Sequence, residues 1–180
     1  MRITLDDETF RIPYGREEYE GGVIHPYRSL VEHPEQIDQI PEVVGQPALR
    51  ELLKVLNGSE GRFESVRIDS TYHAFEGAMV HVAVIGFIFR DRQLFSHFDS
   101  CLLFAGNLLE ALHAEDAFPE GEDAAQLELQ RATFGESRQQ GWIMDLFLLG
   151  QGTDRKACDA ELALRCNALQ QLFREKYALR

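Results

Sequence analysis

The sequence predicts an α+β fold. It should hold an antiparallel or mixed sheet of at least four strands, built from two strand-strand-helix units, with an N-terminal hairpin and helix. Three observations carry this reading. Ala78 to Phe89 and Gly141 to Leu149 are strand patterns that are apolar on both faces. Each follows a half-exposed strand across a short connection, as an antiparallel pair requires. Each precedes a helix with one apolar stripe. The order strand, strand, helix thus occurs twice, at 62–113 and at 126–177, a weak sign of internal duplication without a residue-level repeat.

The elements follow in order. Arg2 to Leu5 and Thr9 to Ile12 alternate around Asp6-Asp7-Glu8, which reads as a hairpin. Residues 13–29 carry Gly15, Gly21-Gly22 and Pro26 and read as loop. His33-Pro34 and Ile40-Pro41 leave room only for short helical turns. From Pro47, the residues Leu49, Leu52, Leu53 and Leu56 make one helical face, and Asn57-Gly58 stops it. Arg62 to Phe75 puts Val66, Ile68, Tyr72 and Ala74 on one face and Arg67, Asp69, Thr71 and His73 on the other. A helix spans about Ser96 to His113, with Ser96 and Asp99 as a capping pair and an unfavourable Gly106-Asn107 in its middle. Residues 114–125 break regular structure. Leu127 to Phe134 alternates, and Thr153 or Asp154 caps a last helix to about Tyr177.

Strands that are apolar on both faces need cover from both sides. The 47–57 helix would supply the second cover, or a second subunit in a homodimer would.

The chain has 180 residues, which suits one domain: a loop-rich segment over 1–46 and an α+β core over 47–180. With 44% hydrophobic and 27% charged residues, disorder is not expected. The formal charge of −12 opposes binding to nucleic-acid phosphate and anionic lipid and favours a basic partner. The N-terminus does not read as a signal peptide, because Asp6-Asp7 interrupts any apolar run. No stretch approaches the roughly 18 apolar residues of a membrane span. A cytoplasmic location with reduced thiols is the expectation, from three cysteines and no export signal.

Cys158 and Cys166 would lie about 12 Å apart along a helix. A disulfide needs Cα atoms within about 7 Å, so the two read as core thiols. Cys101, near a helix N-terminus with His97 beside it, is the sharpest nucleophile candidate. The simpler reading makes it one more small apolar residue. His81 and Asp145 each interrupt an apolar strand. On neighbouring strands they would form a general-base pair, and otherwise each finds its own local partner. The six histidines show no metal spacing, and no cofactor fingerprint is present, so neither metal nor cofactor is expected. Gly150-Gln151-Gly152-Thr153 reads as a strand-to-helix connection, with anion binding at the helix start as the alternative.

The segment Glu115, Asp116, Phe118, Glu120, Glu122 and Asp123 sets an aromatic among carboxylates, which suits a basic protein surface. Tyr19, flanked by Glu17, Glu18 and Glu20, is a second such cluster. From residue 47 the element order is similar to that of type III secretion chaperones, at the level of order and charge alone. Toxin-neutralising immunity proteins share the small, acidic character. The sequence therefore favours a non-enzymatic protein that binds a basic or amphipathic protein partner. The alternatives are a small enzyme centred on Cys101/His97 or His81/Asp145, and a small-ligand module lined by Phe87, Phe89, Trp142 and Phe147.

Overall fold

Alternating side chains and two short turns set the centre of the molecule. The computed structural model describes residues 1–20, 22–75, 77–119, 124–136 and 138–177, except the side chain of Phe75. The elements are β1 (Arg2–Ile12), β2 (Glu17–Tyr19), β3 (Gly22–Ile24), α1 (Pro47–Asn57), β4 (Phe63–Phe75), β5 (Ala78–Phe89), α2 (Arg92–Ser96), α3 (Phe98–His113), β6 (Ala125–Phe134), β7 (Gln139–Gly152) and α4 (Arg155–Lys176). Two 3₁₀ turns, Pro34–Gln39 and Pro41–Val43, precede α1.

The predicted α+β class is the observed one. A five-stranded mixed sheet runs in the order β1-β6-β7-β5-β4. β1 is parallel to β6, and the other three pairings are antiparallel. The two hairpins, β4–β5 and β6–β7, meet through their doubly apolar strands, which places β5 and β7 at the centre where both faces can be covered.

One face is covered by helices. α4 lies directly on β7: a Cβ on Gly150 would sit 2.1 Å from the Cys158 carbonyl oxygen. Gly150 and Gly152 are therefore strand residues where the helix approaches closely, not an anion-binding connection. The buried stripe of α4 is Cys158, Leu162, Cys166, Leu169 and Phe173. Each large apolar side chain buried there contributes roughly 1.5–3 kcal/mol. Phe63, Phe87, Phe104 and Phe173 stack edge-to-face or tilted within the same layer. Asp154 caps α4 by accepting the Ala157 N–H at 2.9 Å.

The opposite face is covered by the N-terminal segment of the same chain. Tyr27 donates to Glu64 of β4 in a short hydrogen bond, and Tyr14 packs edge-on against Phe10 at 5.2 Å. The segment then passes edge strand β4 through its 3₁₀ turns and reaches α1, which packs on α4 and β4. The second cover is thus not α1, which joins the helical layer.

Two boundaries differ from the sequence reading. A hairpin is present in the N-terminal segment, but it is β2–β3, within residues expected to be loop. Residues 2–12 form one strand, because β6 offers a continuous parallel ladder. Asp6-Asp7-Glu8 is absorbed as a bulge, with Asp6 Oδ1 accepting the Glu8 N–H at 3.0 Å. The 96–113 helix is observed as α3, which starts two residues later at Phe98 without a side-chain cap, and a separate short helix, α2, capped by Asp91, precedes it. Gly106 leaves α3 unbroken and faces open space, so it marks neither a break nor a close contact. No helix among the described residues is long and apolar enough to cross a membrane.

Candidate functional site

The face under the N-terminal segment carries a row of one residue per strand. Thr4 of β1 pairs with Glu128 of β6, Glu128 with Asp145 of β7, Asp145 with Gly86 of β5, and Gly86 with Arg67 of β4. Gly86 is the gap that lets the ends of this row meet. A Cβ there would lie 2.4 Å from Asp145 Oδ1 and 3.0 Å from Arg67 Cβ. Across that gap Arg67 Nη2 donates to Asp145 Oδ2 in a short ion pair.

Asp145 is fully buried, and its second oxygen, Oδ1, has no hydrogen-bond partner among the described residues. Burial pushes its carboxyl up to about 6 against the opposing pull of Arg67, while Glu128 and Asp6 add repulsion. Arg67 is also incompletely bonded, since its Nε is buried without a partner. Its guanidinium lies 5.2 Å over the Phe10 ring. A neighbouring pair, Gln130 Nε2 and Asp6 Oδ2 at 3.0 Å, fixes the carboxylate of β1. No three His, Cys, Asp or Glu among the described residues are placed to share a metal ion.

Above this row lies a cavity of about 430 Å³ between the sheet and the N-terminal segment. That volume falls within the range of small-molecule sites, roughly 300–1,000 Å³. Phe10, Val84 and Phe147 give it an apolar floor, Tyr14 and Leu30 a wall, and Val23 and Ile24 of β3 a roof. The charged and titratable side chains around it include Arg67, Asp69, Glu42, His25 and Arg28, with Ser65, Tyr14 and Tyr19 adding hydroxyls. The Tyr14 hydroxyl is pushed up to about 12, chiefly by burial, so it stays a hydrogen-bond donor at neutral pH.

No family model matches this chain, and no curated protein or solved structure matches it either. The site therefore has to be read from its own chemistry.

The candidates taken from the sequence end up in different places. Cys101 is fully buried in α3, with Sγ 3.7 Å from the Leu94 carbonyl oxygen, and burial pushes its thiol up to about 12. It cannot be the activated thiolate expected of a helix start, because desolvation outweighs the helix dipole. His97 is exposed at the α3 N-cap and makes no side-chain cap bond. Cys158 and Cys166 are buried thiols on the core stripe, as expected.

His81 and Asp145 lie on neighbouring strands but do not pair. His81 is opposite Gly150, and Asp145 is opposite Gly86, five residues further along β5. That is about 17 Å at roughly 3.3 Å per residue, and the odd offset puts them on opposite faces. Asp145 finds Arg67. His81, also fully buried, finds α4: its Nδ1 is 2.8 Å from Asp159 Oδ1, and its Nε2 is 2.7 Å from Ser70 Oγ. Tyr72 stacks on the imidazole at 4.1 Å and donates to Asp159 at 2.5 Å, and Gln46 Nε2 adds a third bond to that carboxylate at 3.2 Å.

Phe118 is 1% exposed, so it is not a surface anchor. Its large apolar area is better satisfied in the core under the loop, and Arg165 of α4 holds the loop down by donating to the Ala117 carbonyl at 3.2 Å. Glu115 is half-buried and Asp116 is exposed, while Glu120, Glu122 and Asp123 lie outside the described residues. Of the aromatics expected to line a pocket, Phe147 does so. Phe87 and Phe89 are core residues, and Trp142 packs on Phe98 at 4.7 Å.

Proposed function

We propose that the protein binds a small amphipathic molecule in the cavity between the sheet and the β2–β3 segment. The carrying observation is the cavity itself, apolar and aromatic over most of its lining, with the half-buried Arg67 side chain at its wall. Such a site takes an aromatic or aliphatic body on Phe10, Val84 and Phe147. A single hydrogen-bond-accepting or anionic head then meets Arg67. Asp145 holds Arg67 in place from behind, so the guanidinium is presented without reorganisation.

The test is fluorescence titration with anilinonaphthalene sulfonate, which has this composition. Saturable one-to-one binding is expected for the native protein. Val84→Trp, which fills the floor, should weaken it about tenfold or more, while Leu103→Ser on the exposed face of α3 should leave it unchanged. Non-saturable binding, or equal binding by Val84→Trp, would refute the reading.

A second reading rests on the exposed turn of the same segment. Tyr19 is 60% exposed, and Glu17, Glu18 and Glu20 around it are exposed too. With the formal charge of −12, that surface suits a basic protein partner. Capture from lysate at low salt of one basic protein that is released at high salt, and lost on Tyr19→Ala, would support it. Salt-independent capture would oppose it.

A further inference from the structure

The sheet face opposite the cavity carries a second arrangement, independent of the ligand reading. Ser70 of β4, His81 of β5 and Asp159 of α4 form a continuous chain of two hydrogen bonds, 2.7 Å and 2.8 Å long. We propose that Ser70, His81 and Asp159 are a nucleophile, base and orienting carboxylate that hydrolyse short-chain esters at edge strand β4.

The geometry determines the roles. Asp159 accepts from Tyr72 and Gln46 and is acceptor-only as a carboxylate, so His81 must present Nδ1–H to it. That tautomer leaves the Nε2 lone pair to accept the Ser70 hydroxyl proton, the arrangement a serine nucleophile needs. Burial holds His81 below its usual range, against the pull of Asp159, which keeps the imidazole neutral with its Nε2 lone pair free at neutral pH. Tyr72 against the ring and Gln46 on the carboxylate fix both in place. They are positioning residues. Ser70 is half-buried on an edge strand, and its own N–H donates to the exposed Asp69 carboxylate at 2.7 Å. Displacing Asp69 would free that N–H for a developing oxyanion.

In the first step the Ser70 Oγ–carbon bond forms at the ester carbonyl, and the hydroxyl proton passes to His81 Nε2. The bond to the leaving alcohol breaks, and that oxygen takes the proton from Nε2. Water then adds to the acyl carbon, giving a proton to Nε2. The carboxylic acid departs as Ser70 Oγ regains that proton. Water is the only co-reactant. The half-buried serine limits the acyl group to a short chain.

The full-length protein is treated at pH 8 with a fluorophosphonate probe, and hydrolysis of p-nitrophenyl acetate is followed in parallel. A phosphonyl adduct on Ser70, located by peptide mass spectrometry, is the expected result. Ser70→Ala should abolish the adduct and lower hydrolysis at least about a hundredfold, while its melting temperature stays within a few degrees of the native value. Asp159→Asn should label more slowly at unchanged probe affinity, which a purely structural role would not produce. No adduct on Ser70 in the folded protein, or full hydrolysis by Ser70→Ala, would overturn the proposal. Leu103→Ser, on the exposed face of α3, should leave labelling intact.

Discussion

Replacing Asp145 by Asn should change how stability depends on pH, in a direction and size that follow from the buried row. In the folded protein this carboxyl is pushed up to about 6 from an ordinary 3.8, first by burial and then by Glu128 and Asp6, with Arg67 opposing. The folded state therefore binds more protons than the unfolded chain between these values, and stability attached to the group falls as pH rises. Its contribution is fully present below about pH 4 and is lost by about pH 7. At roughly 1.36 kcal/mol per pH unit, the swing is about 3 kcal/mol. Asn cannot titrate, so the native protein should lose about that much relative to Asp145→Asn between pH 4 and 7. His81 contributes with the opposite sign, since its folded value is lowered. It is the same in both proteins and cancels in the comparison. The assay is urea unfolding of both proteins at half-unit pH steps. Parallel stability curves, or a native protein that gains on the variant as pH rises, would refute the burial argument.

Three more outcomes follow from the packing. Gly106→Ala should stabilise α3 by about 0.5–1 kcal/mol in urea unfolding, since the site is exposed and uncrowded. Gly150→Ala should destabilise by about 3 kcal/mol or more, because a Cβ 2.1 Å from the Cys158 carbonyl oxygen forces α4 off β7. All three thiols are buried, so native protein should react with a disulfide reagent only as fast as it unfolds, and immediate release of one equivalent would contradict that burial.

The central hairpins were legible in the sequence because their signal is local. Val66, Ile68 and Tyr72 against Arg67, Asp69 and Thr71 fix a strand and its faces without any knowledge of neighbours. The same holds for the proline and leucine pattern of α1 and for the capped start of α4. The site was only half legible. Asp145 and His81 stood out as polar residues in apolar strands, and both are fully buried with partners. Their partners were not readable, because strand order decides them. Arg67 reaches Asp145 only because β5 places a glycine between them. Asp159 reaches His81 from a helix 78 residues away, and in the sequence it looks like one more solvent-facing acid. Phe118 misled because charge around an aromatic says nothing about the direction of its ring. β2–β3 was missed because three-residue strands among glycines carry too little alternation to register.

The location of a bound amphipathic probe tests the ligand reading most directly. Backbone amide shifts of isotope-labelled protein, recorded during titration with anilinonaphthalene sulfonate, would give it. The account predicts saturating shifts at Phe10, Tyr14, Val23, Arg67, Val84 and Phe147, the residues around the cavity. Shifts confined to the exposed leucines Leu102, Leu103 and Leu164, with the cavity residues unmoved, would contradict it.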